Sequence, residues 1–187
     1  MEAAATRLDR RLRARDLDGL PHEWDTRYEL IGGVLHISRR PPFEHQAFLA
    51  RFILRVGPAV LERGGFLVPE PGLVWEDDGE DNVSPDLAIL LRVAPPPKGE
   101  KLHTCPEIVL EVLSAGEENR RRDLVEKRAL YFRRGAVEYW IADLGTGELH
   151  RLTRGERDFE QRTLREADRL ATPLLEGWSV EVRDLFG

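Results

Sequence analysis

The alternation of apolar and polar residues identifies two strands that each carry an acidic residue at an inward position. The run Ile108–Leu113 is apolar on both faces except at Glu111, which is the pattern of a central strand covered on both sides. The run Val83–Leu91 alternates with a period of two and places Asp86 on the same face as Ala88. An unpaired buried carboxylate costs several kcal/mol. The pattern therefore predicts that a cation meets Glu111.

A predicted helix offers that cation. Residues 119–134 have helical periodicity, and Gly135 is the residue type favoured just past a helix C-terminus. The inward stripe of this helix consists of Leu124, Lys127 and Tyr131, so a basic residue interrupts an apolar face. The chain has only three lysines, and its other basic residues are arginines and histidines. A lysine at this one inward basic position indicates that a compact ammonium group is needed there.

The remaining periodicity predicts one more long helix and several short strands. The apolar stripe from Leu49 to Val60 predicts an amphipathic helix that Pro58 should kink or end early, and one further turn back along the stripe lies His45. Gly32 and Gly33 predict a tight turn between two paired strands. The other predicted strands are residues 66–70, 73–75, 137–143, 149–153, 159–164 and 178–182.

Length and composition favour a soluble, single-domain protein. A chain of 187 residues can build one hydrophobic core without disulfides or structural metals. We therefore expect one domain over residues 1–187, with residues 1–20 as a peripheral helical extension. Hydrophobic residues make up 41% of the chain and charged residues 33%, and no apolar run approaches the roughly 20 residues that span a bilayer. The single cysteine, Cys105, fits a reducing cytoplasm. We therefore expect a cytoplasmic protein with no membrane contact.

The net charge of −6 argues against a protein that coats nucleic acid by bulk electrostatics. It does not exclude a nuclease, because metal-binding carboxylates add negative charge and a bound metal reverses the local field. The best candidates for phosphate contacts are Arg120, Arg121 and Arg122 on the Lys127 helix. The alternative interpretation of these arginines is a solvated helix face.

Asp86, Glu111 and Lys127 form the residue set of metal-dependent phosphodiester cleavage. In this chemistry two carboxylates hold a divalent metal, while a lysine helps to activate water or offsets developing charge. The lysine usually lies two residues after the glutamate, where this chain has Leu113. A helix that covers the same face of the strand could bring Lys127 to an equivalent point in space.

Several short segments, taken in their order along the chain, form a specific pattern. They are Tyr28–Gly33, Pro42–His45, Ser84–Asp86, Pro106–Ser114, Asp123, Lys127, Tyr131, Glu138–Asp143 and Asp184–Phe186. This pattern resembles the Uma-two family, a branch of the PD-(D/E)XK nuclease superfamily, over most of the chain after the first twenty or so residues. The resemblance implies Asp86 and Glu111 as metal ligands and Lys127 as the displaced catalytic lysine.

The resemblance also implies a fold, a restriction-endonuclease-like α/β core with a mixed α+β sheet. The central mixed sheet should have the Glu111 strand near its centre and should lie between the Leu49 helix and the Lys127 helix. Extra β-hairpins should be added at both ends.

The expected function is Mg²⁺- or Mn²⁺-dependent hydrolysis of nucleic-acid phosphodiester bonds, with DNA as the favoured substrate. Glu29, His45 and Tyr131 should line the site, although a strand-surface role for Glu29 and a structural role for His45 are alternatives. Two other functions stay open: a non-catalytic nucleic-acid-binding or interaction module that keeps the fold, and a hydrolase of a small phosphoester. The sequence does not determine strandedness, the choice between DNA and RNA, or whether the chain forms a homodimer or a higher homo-oligomer.

Two expectations about stability accompany this function. Carboxylate repulsion predicts that Asp86→Asn melts at a higher temperature than the wild type when metal is absent. If Glu111 holds a metal, Lys127→Met should be at least as stable as the wild type in the presence of metal, because a buried ammonium is unfavourable.

Overall fold

The computed structural model describes residues 11–21, 23–76, 78–113 and 116–187. Its two long helical elements are α1 (Phe43–Leu61) and a composite helix at residues 117–134. The composite helix consists of α2 (Glu117–Arg121), a π-helical segment (Arg122–Lys127) and α3 (Arg128–Arg134). It ends at Gly135, whose φ of 98° is readily adopted by glycine, as the sequence predicts.

A six-stranded mixed sheet forms the centre of the molecule. Its strands are β3 (Phe66–Pro69), β6 (Leu87–Leu90), β7 (Ile108–Val112), β8 (Glu138–Asp143), β9 (Glu148–Arg154) and β10 (Phe159–Leu164). They follow the order β10-β9-β8-β7-β6-β3, and all neighbours are antiparallel except β7 and β8. The composite helix connects this parallel pair, as parallel strands require a crossover. The Glu111 strand, β7, thus lies near the centre of the sheet, as expected.

Two smaller sheets flank this centre. The first consists of β1 (Thr26–Ile31), β2 (Val34–Arg39), β4 (Leu73–Val74) and β5 (Asn82–Val83) in the order β2-β1-β5-β4. Gly32 and Gly33 turn its β1–β2 hairpin with φ of 57° and 76°. The second pairs β11 (Arg169–Ala171) with β12 (Ser179–Glu181) and is followed by the short helix α4 (Arg183–Phe186).

The six-stranded sheet is covered on both faces, and strand β7 shows how its sequence achieves this. Its alternate residues Ile108, Leu110 and Val112 join one apolar cluster, which includes the inward side chains of α1. The intervening Val109 joins a second cluster that contains Leu130 and Tyr131 of α3. Period-two alternation puts Glu111 on this second face. The mixed sheet therefore lies between two helices, which confirms the predicted α/β architecture.

One predicted strand, residues 83–91, is two strands in the structure. β5 belongs to the four-stranded sheet and β6 to the six-stranded sheet, with Ser84–Asp86 as the link. Pro85 has no amide hydrogen for a strand ladder, and the Ser84 amide donates to Glu29 Oε1 at 2.8 Å instead. Asp86 consequently stands immediately before β6 rather than inside a strand.

The structure corrects a second expectation and describes only part of a third. Pro58 does not end α1 early, since the helix continues to Leu61. Proline has no amide hydrogen to donate to the Leu54 carbonyl, but Leu54 and Pro58 are both exposed, so water can reach this carbonyl. Of the predicted N-terminal helix, residues 1–10 lie outside the described residues, and Ala14–Gly19 forms a 3₁₀ helix. None of the described helices combines the length and apolarity needed to cross a membrane.

Candidate active site

Asp86 is held at the start of β6 by three donors. Its Oδ2 accepts hydrogen bonds from the Val112 amide at 2.8 Å and from His45 Nε2 at 3.0 Å. Its Oδ1 lies 3.4 Å from Arg27 Nη1. Although burial opposes it, the His45 hydrogen bond and the charges of Arg27 and Lys127 lower the pKa of Asp86 to about 2. Asp86 is therefore a charged carboxylate at neutral pH, and its orientation is fixed.

Glu111, on β7, has a raised pKa, in contrast to the lowered pKa of Asp86. Its Oε1 accepts hydrogen bonds from Lys127 Nζ at 2.8 Å and from the Tyr131 hydroxyl at 2.9 Å. Burial raises the pKa of Glu111 to about 8, with help from nearby carboxylates and against the charge of Lys127. The predicted cationic partner of Glu111 is thus present, but burial still favours protonation of this carboxyl.

Lys127 is fully buried and serves more than one carboxylate. Besides the contact with Glu111, its Nζ lies 3.0 Å from Glu29 Oε1 and 3.8 Å from Asp123 Oδ1. These three carboxylates raise the pKa of Lys127 although burial opposes them, so the ammonium stays charged. The π-helical segment carries Arg122, Asp123 and Lys127, and all three side chains are buried.

The buried charges around Lys127 do not balance. The carboxylates are Glu29, Asp86, Glu111 and Asp123, whereas the permanent cations in contact with them are Arg27, Arg122 and Lys127; His45, which contacts Asp86, adds a charge only when it is protonated. The excess carboxylate explains physically why burial can raise the pKa of both Glu111 and Asp123 while Lys127 remains charged. An added cation would remove this excess.

A cavity of about 510 Å³ opens over Asp86 and Glu111. His45, at the N-terminal end of α1, also lines this cavity. Glu29 and Tyr131 were expected to line the site, but they are fully enclosed beneath the cavity, where they contact Lys127 and Glu111. Lys127 likewise lies beneath the cavity floor, not on its surface.

The three arginines predicted to contact phosphate have different environments. Arg120 lines the cavity and its Nη2 donates to Asp143 Oδ2 at 2.8 Å. Arg121 is exposed. Arg122 is largely buried, with Nε 3.0 Å from Asp123 Oδ1, but it still lines the cavity, so it does not belong to a solvated outer face of the helix. The π-helical segment turns its side chain inward, towards the carboxylates.

The sequence profile of the Uma2 family, described as "Putative restriction endonuclease", matches residues 14–183. The chain belongs to the Uma2 family. This finding confirms the resemblance seen in the ordered sequence segments. The comparison with curated proteins gives no match.

The Uma2 fold of this chain is also similar to a solved structure. The crystal structure of "a putative nuclease belonging to DUF820 from Anabaena variabilis ATCC 29413" superposes with a TM-score of 0.75. The superposition covers 94% of this chain and 97% of the Anabaena chain, at 16% sequence identity. At this identity the similarity establishes a shared fold.

The donor set of this Uma2 cavity fits a hard divalent cation. Mg²⁺ binds through one or two carboxylates and completes its coordination with water and substrate phosphate, and Mn²⁺ also prefers oxygen ligands. Asp86 and Glu111 are two such carboxylates on the floor of one cavity. Within the described ranges, no group of three or more His, Cys, Asp or Glu side chains is arranged to hold a metal. The residues present therefore suit an ion that retains water or phosphate ligands.

Sequence reasoning missed Arg27 as part of the Uma2 site and named Asp123 only as part of the family pattern, without a role, although both had a detectable signal. Arg27 and Glu29 alternate on β1 and thus share a face. Asp123 lies four residues before Lys127, the spacing at which helical side chains meet. Neither signal alone distinguishes a site residue from a surface ion pair, because the deciding contacts come from other elements.

The raised pKa of Glu111 predicts that Mn²⁺ affinity depends on pH. A carboxylate must lose its proton to bind a metal, and burial raises the pKa of Glu111 to about 8. The apparent association constant should rise by about tenfold between pH 6 and pH 7, with release of about one proton, and should level off above pH 8. Calorimetry in two buffers of different ionisation enthalpy measures both quantities. A pH-independent constant without proton release would contradict this ligand role.

Proposed function

We propose that this protein is a divalent-metal-dependent nuclease that hydrolyses phosphodiester bonds of nucleic acid, with DNA as the favoured substrate. The observation that carries the proposal is the pair of carboxylates, Asp86 and Glu111, on the floor of one cavity with an excess of buried negative charge beneath it. The family description, which names restriction endonucleases, and the similar structure, whose title names a nuclease, support the same chemistry.

Asp86 and Glu111 would hold the ion, which when bound would supply Lewis-acid polarisation of the scissile phosphate. His45 and the Val112 amide both donate to Asp86 Oδ2, so they fix the direction of this carboxylate before any ligand arrives. Such a preset direction avoids reorganisation during the reaction. The 3.4 Å contact of Arg27 with Asp86 is the longest of the three, and this guanidinium lines the cavity and can turn towards a phosphate oxygen.

Lys127 acts in this proposal as a positioning residue. Its ammonium holds Glu111 Oε1 at 2.8 Å from beneath the cavity floor, together with the Tyr131 hydroxyl. The lysine therefore orients the carboxylate and keeps a positive charge close behind it. Arg120, at the cavity wall, is suitably placed for an adjacent phosphate of the substrate chain. The sequence-based idea that Lys127 assists water directly is replaced by this role, because Lys127 does not reach the cavity surface.

A cleavage assay tests the proposal. End-labelled single-stranded, duplex and branched DNA, and RNA, are incubated with the protein in Mn²⁺, Mg²⁺ or EDTA. We expect cleavage of at least one nucleic acid in a divalent metal and none in EDTA. Hydrolysis of bis-p-nitrophenyl phosphate without cleavage of any polymer would indicate a small-phosphoester hydrolase instead. Metal-dependent stabilisation without any cleavage would indicate a binding module that retains the fold.

A further inference from the structure

Two exposed aromatic side chains belong to segments that adjoin the lining of the cavity. Trp24 and Phe43 are each 81% exposed. Phe43 is the first residue of α1 and lies between Pro42 and Glu44, which both line the cavity. Leaving large aromatic rings in water gives up the free energy that their burial would provide. Two such rings at one cavity mouth therefore suggest a ligand that covers them.

The backbone brings Trp24 to the same place. The Arg40 amide donates to the Asp25 carbonyl at 3.1 Å, just beyond the paired ends of β1 and β2. This hydrogen bond holds the segment that carries Trp24 against the segment that leads into α1. Trp24 and Phe43 thus flank the exposed residues Arg39 and Arg40, which belong to the cavity lining.

These two arginines differ from most of the basic residues in the molecule. Arg27, Arg120 and Arg122 are engaged by carboxylates. Within the part of the chain that the structure describes, the Arg39 and Arg40 side chains have neither an ion-pair nor a hydrogen-bond partner. The chain as a whole carries a net charge of −6, so its average charge does not explain this cluster of cations. With the exposed carboxylate of Glu44 set against these two arginines, the mouth keeps a local excess of positive charge, which suits an anionic ligand that also has flat apolar faces.

We propose that the cavity mouth binds single-stranded nucleic acid, with bases stacked on Trp24 and Phe43 and backbone phosphates beside Arg39 and Arg40. Base–aromatic stacking combined with cationic side chains is a common means of holding unpaired strands, and it tolerates any sequence because every base has a π-face. A duplex cannot use these rings in the same way, since its base faces already stack on one another. Strand binding at the mouth does not depend on the proposed nuclease function. Its consequence, the delivery of a single strand to Asp86 and Glu111, does rest on that function.

Binding measured without metal tests this inference separately from catalysis. Fluorescently labelled oligothymidylate, oligouridylate and a blunt DNA duplex, each about 20 nucleotides long, are titrated in EDTA and followed by anisotropy. We expect the single strands to bind at least about tenfold more tightly than the duplex, and the two single-strand probes distinguish DNA from RNA. Trp24→Ala and Phe43→Ala should each weaken single-strand binding by about 5- to 150-fold, the effect expected for losing one stacked base.

The matched control is Phe66→Ala. Phe66 is a partly exposed aromatic residue, 44% accessible, at the end of β3 remote from Asp86: it pairs with Leu90, whereas Pro69 pairs with Leu87. This variant should bind single strands as the wild type does. Because Trp24 and Phe43 are largely exposed, their alanine variants should keep the wild-type melting temperature, so a loss of binding would not reflect unfolding.

The inference is overturned if the duplex binds as tightly as the single strands, or if neither aromatic variant differs from Phe66→Ala. Either result would leave the nuclease proposal intact, since cleavage of duplex DNA in Mn²⁺ would still support it. Conversely, single-strand binding that depends on both rings, without any cleavage in Mn²⁺, would support the interaction surface and contradict the catalytic proposal.

Discussion

Lys127→Met should lower the free energy of unfolding by about 3–5 kcal/mol at pH 7, with or without metal. The substitution keeps the apolar stem but removes the ammonium that contacts Glu111 at 2.8 Å and Glu29 at 3.0 Å. A metal at the cavity floor could neutralise Glu111 but not the enclosed Glu29. Urea unfolding measures the effect, and the exposed lysine variant Lys101→Met, which should change stability by less than about 0.5 kcal/mol, is the control.

This result would reverse the sequence-based expectation that Lys127→Met is at least as stable as the wild type. A second substitution tests the reason. Glu29→Gln keeps an oxygen for the Ser84 amide but removes one of the carboxylates that depend on Lys127. The double variant Glu29→Gln/Lys127→Met should therefore be more stable than Lys127→Met. If the second substitution does not recover stability, uncompensated buried charge is not the cause of the loss.

Asp86→Asn should lower the rate of metal-dependent cleavage by about two to three orders of magnitude, the scale of losing one charged group in a catalytic site. Asparagine has nearly the same shape, but it lacks the negative charge that attracts the ion. The control is Asp18→Asn, because Asp18 is exposed and lies outside the cavity lining. Initial rates on the best substrate of the cleavage assay provide the comparison. An Asp86→Asn rate within a few-fold of the control would contradict the assigned role.

The same variant should also be less stable than the wild type when metal is absent. The folded-state pKa of Asp86 is lowered to about 2 from 3.8, so its charged form contributes stability above pH 3.8 that is lost as the pH falls towards 2. At pH 7 the loss should be about 2 kcal/mol. The expectation of a higher melting temperature considered only repulsion between carboxylates. The hydrogen bonds that His45, Val112 and Arg27 donate to the Asp86 carboxylate stabilise its charged form by more than that repulsion destabilises it.

Periodicity predicted the parts of the fold that depend on local pattern. The alternation of β7 and the three- and four-residue spacing around Lys127 correctly placed Glu111 and Lys127 at inward positions that meet. The apolar run of β7 also indicated a central strand, but the placement of the sheet between the two helices required the family resemblance. Local pattern alone does not determine which strands pair.

The remaining features of the site depend on contacts between distant segments, which a single sequence does not reveal. Glu29 is beneath the cavity because its carboxylate meets the Ser84 amide and Lys127, residues from two other elements. The strand predicted over residues 83–91 divides because the chain changes sheets at Pro85. The inward position of Arg122 follows from the π-helical segment, whose wider turn has no marker in the apolar pattern.

Calorimetric titration with Mn²⁺ at pH 8 most directly tests whether Asp86 and Glu111 bind a metal. Because burial raises the pKa of Glu111 to about 8, about half of this carboxyl is already deprotonated at this pH before the metal binds. We expect a saturable isotherm with one site for the wild type and for Asp18→Asn, and no saturable binding for Asp86→Asn. An Asp86→Asn isotherm equal to that of the wild type would contradict the metal-binding role of this carboxylate and the nuclease mechanism derived from it.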